Sequence, residues 1–238
     1  EIKRLNVIGI LSYKNNFLEK KYLEDLTKFK KKFLLIRENK ELKTNYSKNW
    51  KLQTGGFFEK KKYLIKDNIT FINVSNHNSN KMLKIIKQLK INILINIGTT
   101  QKISKKIINS LRYGVINVHP GLLPYYRGSQ CIERAILNDD PIFLTAHYMT
   151  EKFDEGKVIL FKKVRIKGLY RYKDIRIKVY NTQSKLLSYI FNNFNKIKTK
   201  KNIDFIKLKT KPKIYTKMSF YLLDKVIKKI KNKRYKYQ

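Results

Sequence analysis

Three polar side chains in the middle of the chain have the types that transfer of an acyl group to an amine requires. Asn117 and His119 follow a short apolar run, and Asp154 comes later in a turn. An asparagine amide can donate a hydrogen bond to a developing oxyanion. A histidine can take a proton from the attacking amine, or stabilise the anion when it is charged, and an aspartate can orient that histidine. No serine or cysteine nucleophile is needed when the amine attacks directly.

The position of Asn117 and His119 follows from the element before them. The run 115–118 is apolar and β-branched, which predicts a buried strand that delivers both side chains at its carboxyl end. Their spacing of two puts them on the same face. Pro120 and Gly121 then end the strand. In open α/β sheets the site lies beyond the carboxyl ends of the strands, so we expect the active site here.

The segment around these residues lacks the lysine-rich composition of the rest of the chain. Lysine, asparagine and isoleucine number 46, 22 and 31 of 238 residues. Between Tyr113 and Gly156, however, there is a single lysine, Lys152. A segment that does not share the composition of its own chain is either deeply buried or constrained by its chemistry. This is a second reason to look for function there.

The formal net charge of +38 comes with 9 arginines against the 46 lysines. Phosphate-binding proteins favour the bidentate guanidinium group, and nucleic-acid binding gives no reason to enrich isoleucine or asparagine. We therefore attribute the charge mainly to compositional bias and expect only non-specific attraction to nucleic acid.

Composition excludes several classes of protein. A hydrophobic content of 42% excludes a wholly disordered chain, and a single cysteine, Cys131, excludes a disulfide framework or a Cys-rich zinc site. The three histidines match no metal motif, so we expect no metal. No apolar run approaches the roughly 18–20 residues of a membrane span, which predicts a cytoplasmic protein.

Strands and helices alternate over roughly the first 120 residues, which predicts βαβ units and a twisted parallel sheet. The predicted strands are 5–12, 33–37, 69–74, 91–97, 115–118, 143–149 and 157–166, the last two antiparallel. The predicted helices are 17–31, 80–89, 103–111 and 129–137. After residue 168 we expect a long helix over 170–194, a strand or extended segment over 203–214, a helix over 219–231 and a solvated basic tail over 232–238.

Two motifs resemble the catalytic domain of the 10-formyl-tetrahydrofolate-dependent formyltransferases. Residues 117–128 read Asn-x-His-Pro-Gly-Leu-Leu-Pro-x-Tyr-Arg-Gly, and residues 153–159 read Phe-Asp-Glu-Gly-x-Val-Ile. The resemblance extends over about 91–166 and implies an α/β fold: a Rossmann-like, twisted, mostly parallel sheet with helices on both faces. We expect a catalytic domain over 1–168 and, because the chain after residue 168 is rich in Lys, Tyr and Asn, a small, mostly helical C-terminal extension over 169–238. By analogy with the sugar-modifying members of the family, a homodimer would form through this extension.

The same resemblance assigns roles to residues. It implies that Asn117, His119 and Asp154 are the catalytic trio and that 10-formyl-tetrahydrofolate is the formyl donor. The residues expected to hold the folate are Gln101, Lys102, Ile103, Met149, Thr150 and Glu151. A neutral primary amine would attack the formyl carbon through a tetrahedral oxyanion.

Branches of this family differ in the amine that they formylate. The methionyl-tRNA enzymes add a C-terminal nucleic-acid-binding barrel, for which few residues follow the core here. The glycinamide ribonucleotide enzymes carry a glycine-rich phosphate loop after the first strand, whereas residues 12–17 read Ser-Tyr-Lys-Asn-Asn-Phe. We therefore expect a nucleotide-linked amino sugar as acceptor, held by Tyr125, Tyr126 and Arg127. Glycinamide ribonucleotide is the alternative, and a non-catalytic polyanion-binding family member is a further one.

Overall fold

The computed structural model describes residues 7–26, 28, 31–41, 51–60, 67–198, 203 and 205–238. Within these ranges, seven strands form one sheet in the order β3-β2-β1-β4-β5-β7-β8, and β6 and β9 form a separate pair. The strands are β1 Ile8–Lys14, β2 Phe33–Glu41, β3 Ile69–Val74, β4 Leu94–Asn96, β5 Val115–His119, β6 Tyr126–Gly128, β7 Phe143–Tyr148, β8 Val158–Lys163 and β9 Lys213–Tyr215.

The strand pairing confirms the predicted fold class. Strands β1 to β5 run parallel to one another, whereas β7 is antiparallel to β5 and β8 is antiparallel to β7 at one edge. Strand β1 pairs with β2 on one side and with β4 on the other. The chain order therefore reverses between β1 and β4, which is the kind of switch point where ligands bind in open α/β sheets.

Helices cover both faces of this sheet. They are α1 Glu19–Leu26, α2 Phe57–Lys60, α3 Asn80–Gln88, α4 Lys105–Asn109, α5 Cys131–Leu137, α6 Tyr172–Asn192, α7 Phe194–Lys198 and α8 Phe220–Lys231. Serine side chains cap three of them, since Ser79, Ser104 and Ser219 each accept a hydrogen bond from a backbone N–H of the first turn of α3, α4 and α8.

Strand residues alternate between two apolar clusters. Ile8 and Ile10 of β1 point into a cluster that contains α1, α6 and α8, whereas Leu11 points into a second cluster with α3 and α4. Burial on both faces explains why these strands read as continuous apolar runs in the sequence. Because α6 and α8 belong to the same cluster as the sheet, the C-terminal part packs directly on it; the boundary at residue 168 stays a prediction.

The C-terminal segment departs from the sequence-based expectation in two places. The last seven residues are not a solvated tail: Tyr235 is buried, and its hydroxyl donates to Asp140 O at 2.5 Å. Gln238 also donates to the backbone of Leu169 and Ile230. In the described part of 203–214 the strand is confined to Lys213–Tyr215, where β9 pairs with β6.

Other boundaries shift by a few residues. The expected helix over 170–194 is α6 followed by the short α7, and the expected strand over 91–97 is reduced to β4. Residues 5 and 6 of the first predicted strand, and residues 27, 29 and 30 of the first predicted helix, lie outside the described residues.

Candidate active site

A row of polar side chains runs across three adjacent strands. The register pairs Asn96 of β4 with Asn117 of β5, and Asn117 with His147 of β7. Residues paired in this way project from the same face of the sheet. Asn96 Nδ2 donates to Asn117 Oδ1 at 3.3 Å, and Asn117 Nδ2 lies 3.1 Å from His147 Nε2. These three residues, the polar row, hold the Asn117 amide in one orientation.

Asp154 lies in the turn between β7 and β8 and faces the polar row. Its Oδ1 lies 3.4 Å from His119 Nδ1 and 3.7 Å from His147 Nε2. Its Oδ2 accepts a hydrogen bond from Gly128 N at 2.8 Å. One carboxylate thus faces two imidazole rings and ties the turn to the loop that follows β5.

Glycine is required for this turn to approach the sheet. A Cβ on Gly156 would lie 1.5 Å from Tyr148 O, so any larger residue would push the turn away from β7. Asp154 itself has φ 52°, in the left-handed region that aspartate tolerates better than most residues. The sequence Asp-Glu-Gly at 154–156 therefore places the carboxylate as well as supplying it.

The loop after β5 folds tightly over His119. A Cβ on Gly121 would lie 2.6 Å from Tyr126 O and 2.7 Å from His119 Nε2, so this approach also requires glycine. Thr145 Oγ1 accepts from Leu123 N at 3.1 Å and donates to Gly121 O at 2.6 Å. His119 Nε2 lies 2.7 Å from Tyr126 O, so the ring is held from both sides.

His147 is held as a neutral ring in this geometry. Burial, and secondarily the neighbouring His119, lower the pKa of His147 to about 4, which makes it neutral at pH 7. Its Nδ1 lies 3.0 Å from Tyr148 O, so Nδ1 carries the hydrogen and Nε2 accepts from Asn117. Both nitrogens of His119 face oxygen atoms, on Tyr126 and Asp154.

A cavity of about 130 Å³ lies beside this cluster, and Asn117, His147 and Asp154 line it. It is also lined by five of the six residues expected to hold the folate: Gln101, Lys102, Ile103, Met149 and Thr150. The exposed side chain of Glu151 is not part of the lining. The structure therefore brings most of the expected cofactor residues to the expected catalytic residues.

Two loops meet across this cavity. Lys102 Nζ lies 4.1 Å from the centre of the Phe153 ring, a cation–π contact between the loop before α4 and the turn that carries Asp154. Pockets for small molecules are usually about 300–1,000 Å³, so this cavity is smaller than a typical small-molecule site.

Among the residues that the structure describes, no group of three or more His, Cys, Asp and Glu side chains is arranged to hold a metal ion. No helix in the described part is both long enough and apolar enough to cross a lipid bilayer.

Comparison with known proteins agrees with this geometry. A family model whose description reads "Formyl transferase" matches residues 20–190, well over half of the chain. The chain belongs to the formyl transferase family. The matched range contains Asn117, His119 and Asp154, and membership of the family supports formyl transfer from a folate-type donor.

This formyl transferase is 35% identical over 96 residues to a methionyl-tRNA formyltransferase of Halothermothrix orenii. The match covers 40% of this chain and 30% of that relative, so the matched segment accounts for less than a third of the relative's length.

Solved structures resemble it over most of the chain. A glycinamide ribonucleotide transformylase from Geobacillus kaustophilus superposes with a TM-score of 0.59 at 16% identity, covering 80% of this chain and 99% of that one. A 4-N formyltransferase from Francisella tularensis gives a TM-score of 0.54 at 21% identity, covering 79% of this chain and 69% of that one. At these identities the similarity shows the fold alone.

The residues expected to hold the acceptor have different surroundings in this formyl transferase. Tyr126 is 1% exposed, and its hydroxyl donates to Asp140 Oδ2 at 2.5 Å and accepts from Asn138 Nδ2 at 3.0 Å. Its assignment to the acceptor is therefore corrected: the side chain belongs to the core. Tyr125 is half-buried, and Arg127 forms an ion pair with the carboxylate next to Asp154, that of Glu155.

Sequence reasoning missed two members of the polar row. His147 was considered only for metal spacing, and Asn96 was not considered at all. Both become visible once β5 is aligned with β4 and β7, because each then stands opposite Asn117. The signal in the sequence was a polar residue at or near the carboxyl end of each of these three apolar strands.

Proposed function

We propose that this formyl transferase passes the formyl group of 10-formyl-tetrahydrofolate to a primary amine, with Asn117, His119 and Asp154 as the groups that meet the reacting atoms. The observation that carries the proposal is their arrangement: Asn117 and Asp154 line a cavity together with both flanking loops, and His119 lies behind Asp154, with 3.4 Å between its Nδ1 and Asp154 Oδ1.

In this proposal the amine nitrogen forms a bond to the formyl carbon, and the carbonyl oxygen becomes an oxyanion. Asn117 Oδ1 is engaged by Asn96, and one Nδ2 hydrogen points to His147, so the second Nδ2 hydrogen donates to the oxyanion. His119, held by Asp154 at 3.4 Å, would stabilise the same oxygen.

Collapse of the intermediate breaks the bond from the formyl carbon to N10 of the folate. The proton lost by the amine passes to Asp154 and from there to N10, so the amine product is a formamide and the folate leaves neutral at that nitrogen. Closure of the Lys102–Phe153 contact over the cavity would exclude water and so suppress release of formate.

The acceptor with the stronger support is methionyl-tRNA. The Halothermothrix orenii relative carries that name at 35% identity over 96 residues, whereas the solved sugar and ribonucleotide enzymes share less than 25% with this chain.

A nucleotide-linked amino sugar, the acceptor expected from the sequence, is the second candidate. The loop after β1 supports a choice against glycinamide ribonucleotide, because its polar side chains bind one another. Ser12 Oγ donates to Glu19 at 2.6 Å, and Asn16 Nδ2 donates to Ser12 and to Ile97 O. Without glycine, this loop lacks the backbone freedom with which phosphate loops wrap an anion.

The test is turnover of 10-formyl-tetrahydrofolate with three acceptors in parallel: methionyl-tRNA, a panel of amino-sugar nucleotides and glycinamide ribonucleotide. We expect turnover with methionyl-tRNA, lost in His119→Ala and Asp154→Ala. Turnover with an amino sugar alone would select the second candidate. Turnover with no acceptor, together with salt-sensitive binding of RNA, would refute the catalytic proposal in favour of a binding role.

A further inference from the structure

A buried carboxylate stands at the end of β2, away from the catalytic cluster. Glu38 is 1% exposed, and its carboxylate accepts hydrogen bonds from two different loops. His77 N donates to Oε1 at 2.8 Å, from the segment between β3 and α3. Thr100 lies in the loop between β4 and α4 (98–104, the β4–α4 loop). It donates to Oε2 twice, from its backbone N at 3.3 Å and from Oγ1 at 2.5 Å.

The β4–α4 loop is the loop that lines one side of the candidate folate cavity, through Thr99, Gln101, Lys102 and Ile103. The same carboxylate also holds the side chain of Gln101, whose Nε2 lies 3.4 Å from Glu38 Oε1. Gln101 Nε2 donates to Asn76 Oδ1 as well. Glu38 therefore holds both Thr100, which lies between cavity-lining residues, and Gln101, which is one of them.

A neighbouring asparagine completes the anchoring. Asn78 Nδ2 donates to Lys102 O at 2.8 Å, and Asn78 Oδ1 accepts from Ser104 N at 2.7 Å. The backbone at both ends of the cavity-lining segment is thus fixed by side chains from the ends of β2 and β3. We call Glu38, Asn76 and Asn78 the loop clamp.

The His77 ring lies beside the carboxylate, with its Nδ1 3.3 Å from Glu38 Oε1. Burial works to raise the pKa of Glu38, but the bonds from Thr100 and from the His77 backbone outweigh burial and keep that pKa below its ordinary value. The His77 ring itself is 0% exposed, its Nε2 lies 3.0 Å from Ile36 O, and burial lowers its pKa. A buried charge is costly unless donors surround it, and here three of the four donors come from the β4–α4 loop.

We propose that Glu38 is a positioning residue for the folate donor, which sets the place of the β4–α4 loop against the catalytic cluster. The inference rests on the proposed function and deepens it. Glu38 does not line the cavity; it acts through Thr100 and Gln101. Displacement of a binding segment by about 1 Å is enough to weaken a site whose polar groups must converge on one ligand.

The test compares Glu38→Gln with a matched control, Asp25→Asn. Asp25 is also a buried carboxylate. Burial works to raise its pKa, but the hydrogen bonds from Lys21 and Ser184 outweigh burial and keep the pKa below its ordinary value. It lies between α1 and α6 rather than at the cavity. Binding of 5-formyl-tetrahydrofolate, a donor isomer, is measured by calorimetry, and backbone amide exchange is followed over 98–104.

We expect Glu38→Gln to weaken binding of the donor isomer about tenfold and to speed amide exchange over 98–104, because one amide hydrogen would then face the donors of Thr100. Asp25→Asn should leave binding within twofold and exchange in that loop unchanged. Binding within twofold of wild type in Glu38→Gln, or an equal loss in both variants, would overturn the inference. Failure of the wild-type protein to bind the isomer would instead refute the proposed function, and the exchange data would still decide whether Glu38 fixes the loop.

Discussion

Replacement of His147 by glutamine separates its role as a neutral hydrogen-bond acceptor from its role as a titrating group. The glutamine carbonyl can accept from Asn117 Nδ2, as His147 Nε2 does at 3.1 Å, but it takes up no proton. We therefore expect His147→Gln to retain activity within about tenfold of wild type at pH 7.5. His147→Ala should lose more, because it leaves the Asn117 amide without that acceptor.

The same variant should change how stability depends on pH. Folded His147 titrates near 4 because of burial, against an ordinary value of 6.5, so the unfolded chain binds more protons between these values. A histidine whose folded pKa is lowered contributes stability above pH 6.5, and that contribution is lost as the pH falls. The linkage relation gives a loss of roughly 2 kcal/mol at pH 5 and roughly 3 kcal/mol at pH 4.

Urea unfolding of both proteins at pH 7.5, 6, 5 and 4 measures this directly. Other titrating groups, including the buried His77, are present in both proteins and cancel in the difference. We expect the free energy of unfolding of wild type to fall relative to that of His147→Gln by roughly 2 kcal/mol between pH 7.5 and 5. A difference that stays constant with pH would show that the ring is not buried in its neutral form and would refute the reasoning.

Three further predictions concern neighbouring parts of the site. Asp154→Asn keeps the shape but removes the charge that faces His119 at 3.4 Å; kcat/KM should fall about 10³-fold, and a loss below tenfold in a turnover assay would contradict the assigned role. Tyr126→Phe should lower the free energy of unfolding by about 1–2 kcal/mol without changing the KM of the acceptor, and a selective rise in that KM would return Tyr126 to the acceptor site. Phe153→Ala removes the contact with Lys102 at 4.1 Å, so donor association in stopped flow should speed up about two- to fivefold, whereas a slower rate would mean that the ring guides the folate in.

The order of the elements and the convergence of Asn117, His119 and Asp154 were predictable because their determinants are local. A central parallel strand such as β1 is buried on both faces and so appears as an apolar run in the sequence. The bounds of β3, an edge strand, were also predicted correctly. Asn117, His119 and the Asp-Glu-Gly turn lie in two short motifs, and the strand-end rule then brings the motifs together.

Long-range register was not predictable from single segments. The role of His147 depends on its pairing with Asn117 across one side of β5, and the role of Asn96 depends on its pairing with Asn117 across the other side. Neither pairing produces a periodic pattern in the sequence. Glu38 was missed for a similar reason, since a single acid at a strand end is usually solvated. Its burial depends on the β4–α4 loop, more than sixty residues later in the chain, as the bond from Thr100 shows.

The errors in the C-terminal part have a compositional cause. Residues 232–238 contain Lys233, Arg234 and Lys236 and were therefore expected to be a solvated tail, but Tyr235 carries enough apolar surface to bury and finds an acceptor in Asp140 O. Tyr126 was misassigned because its loop follows the catalytic strand. Within that loop Tyr126 points into the core, whereas Arg127 reaches the turn that carries Asp154.

Formyl transfer through the Asn117, His119 and Asp154 cluster is the central claim, and single-turnover transfer of a labelled formyl group tests it most directly. The purified protein is mixed with 10-formyl-tetrahydrofolate labelled with ¹³C at the formyl carbon and with methionyl-tRNA or an amino-sugar nucleotide. The carbon is then followed by NMR. The account predicts a labelled formamide on the acceptor with wild type and none with Asn117→Ala or His119→Ala. Label that ends only as formate, or transfer that is undiminished in both variants, would contradict it.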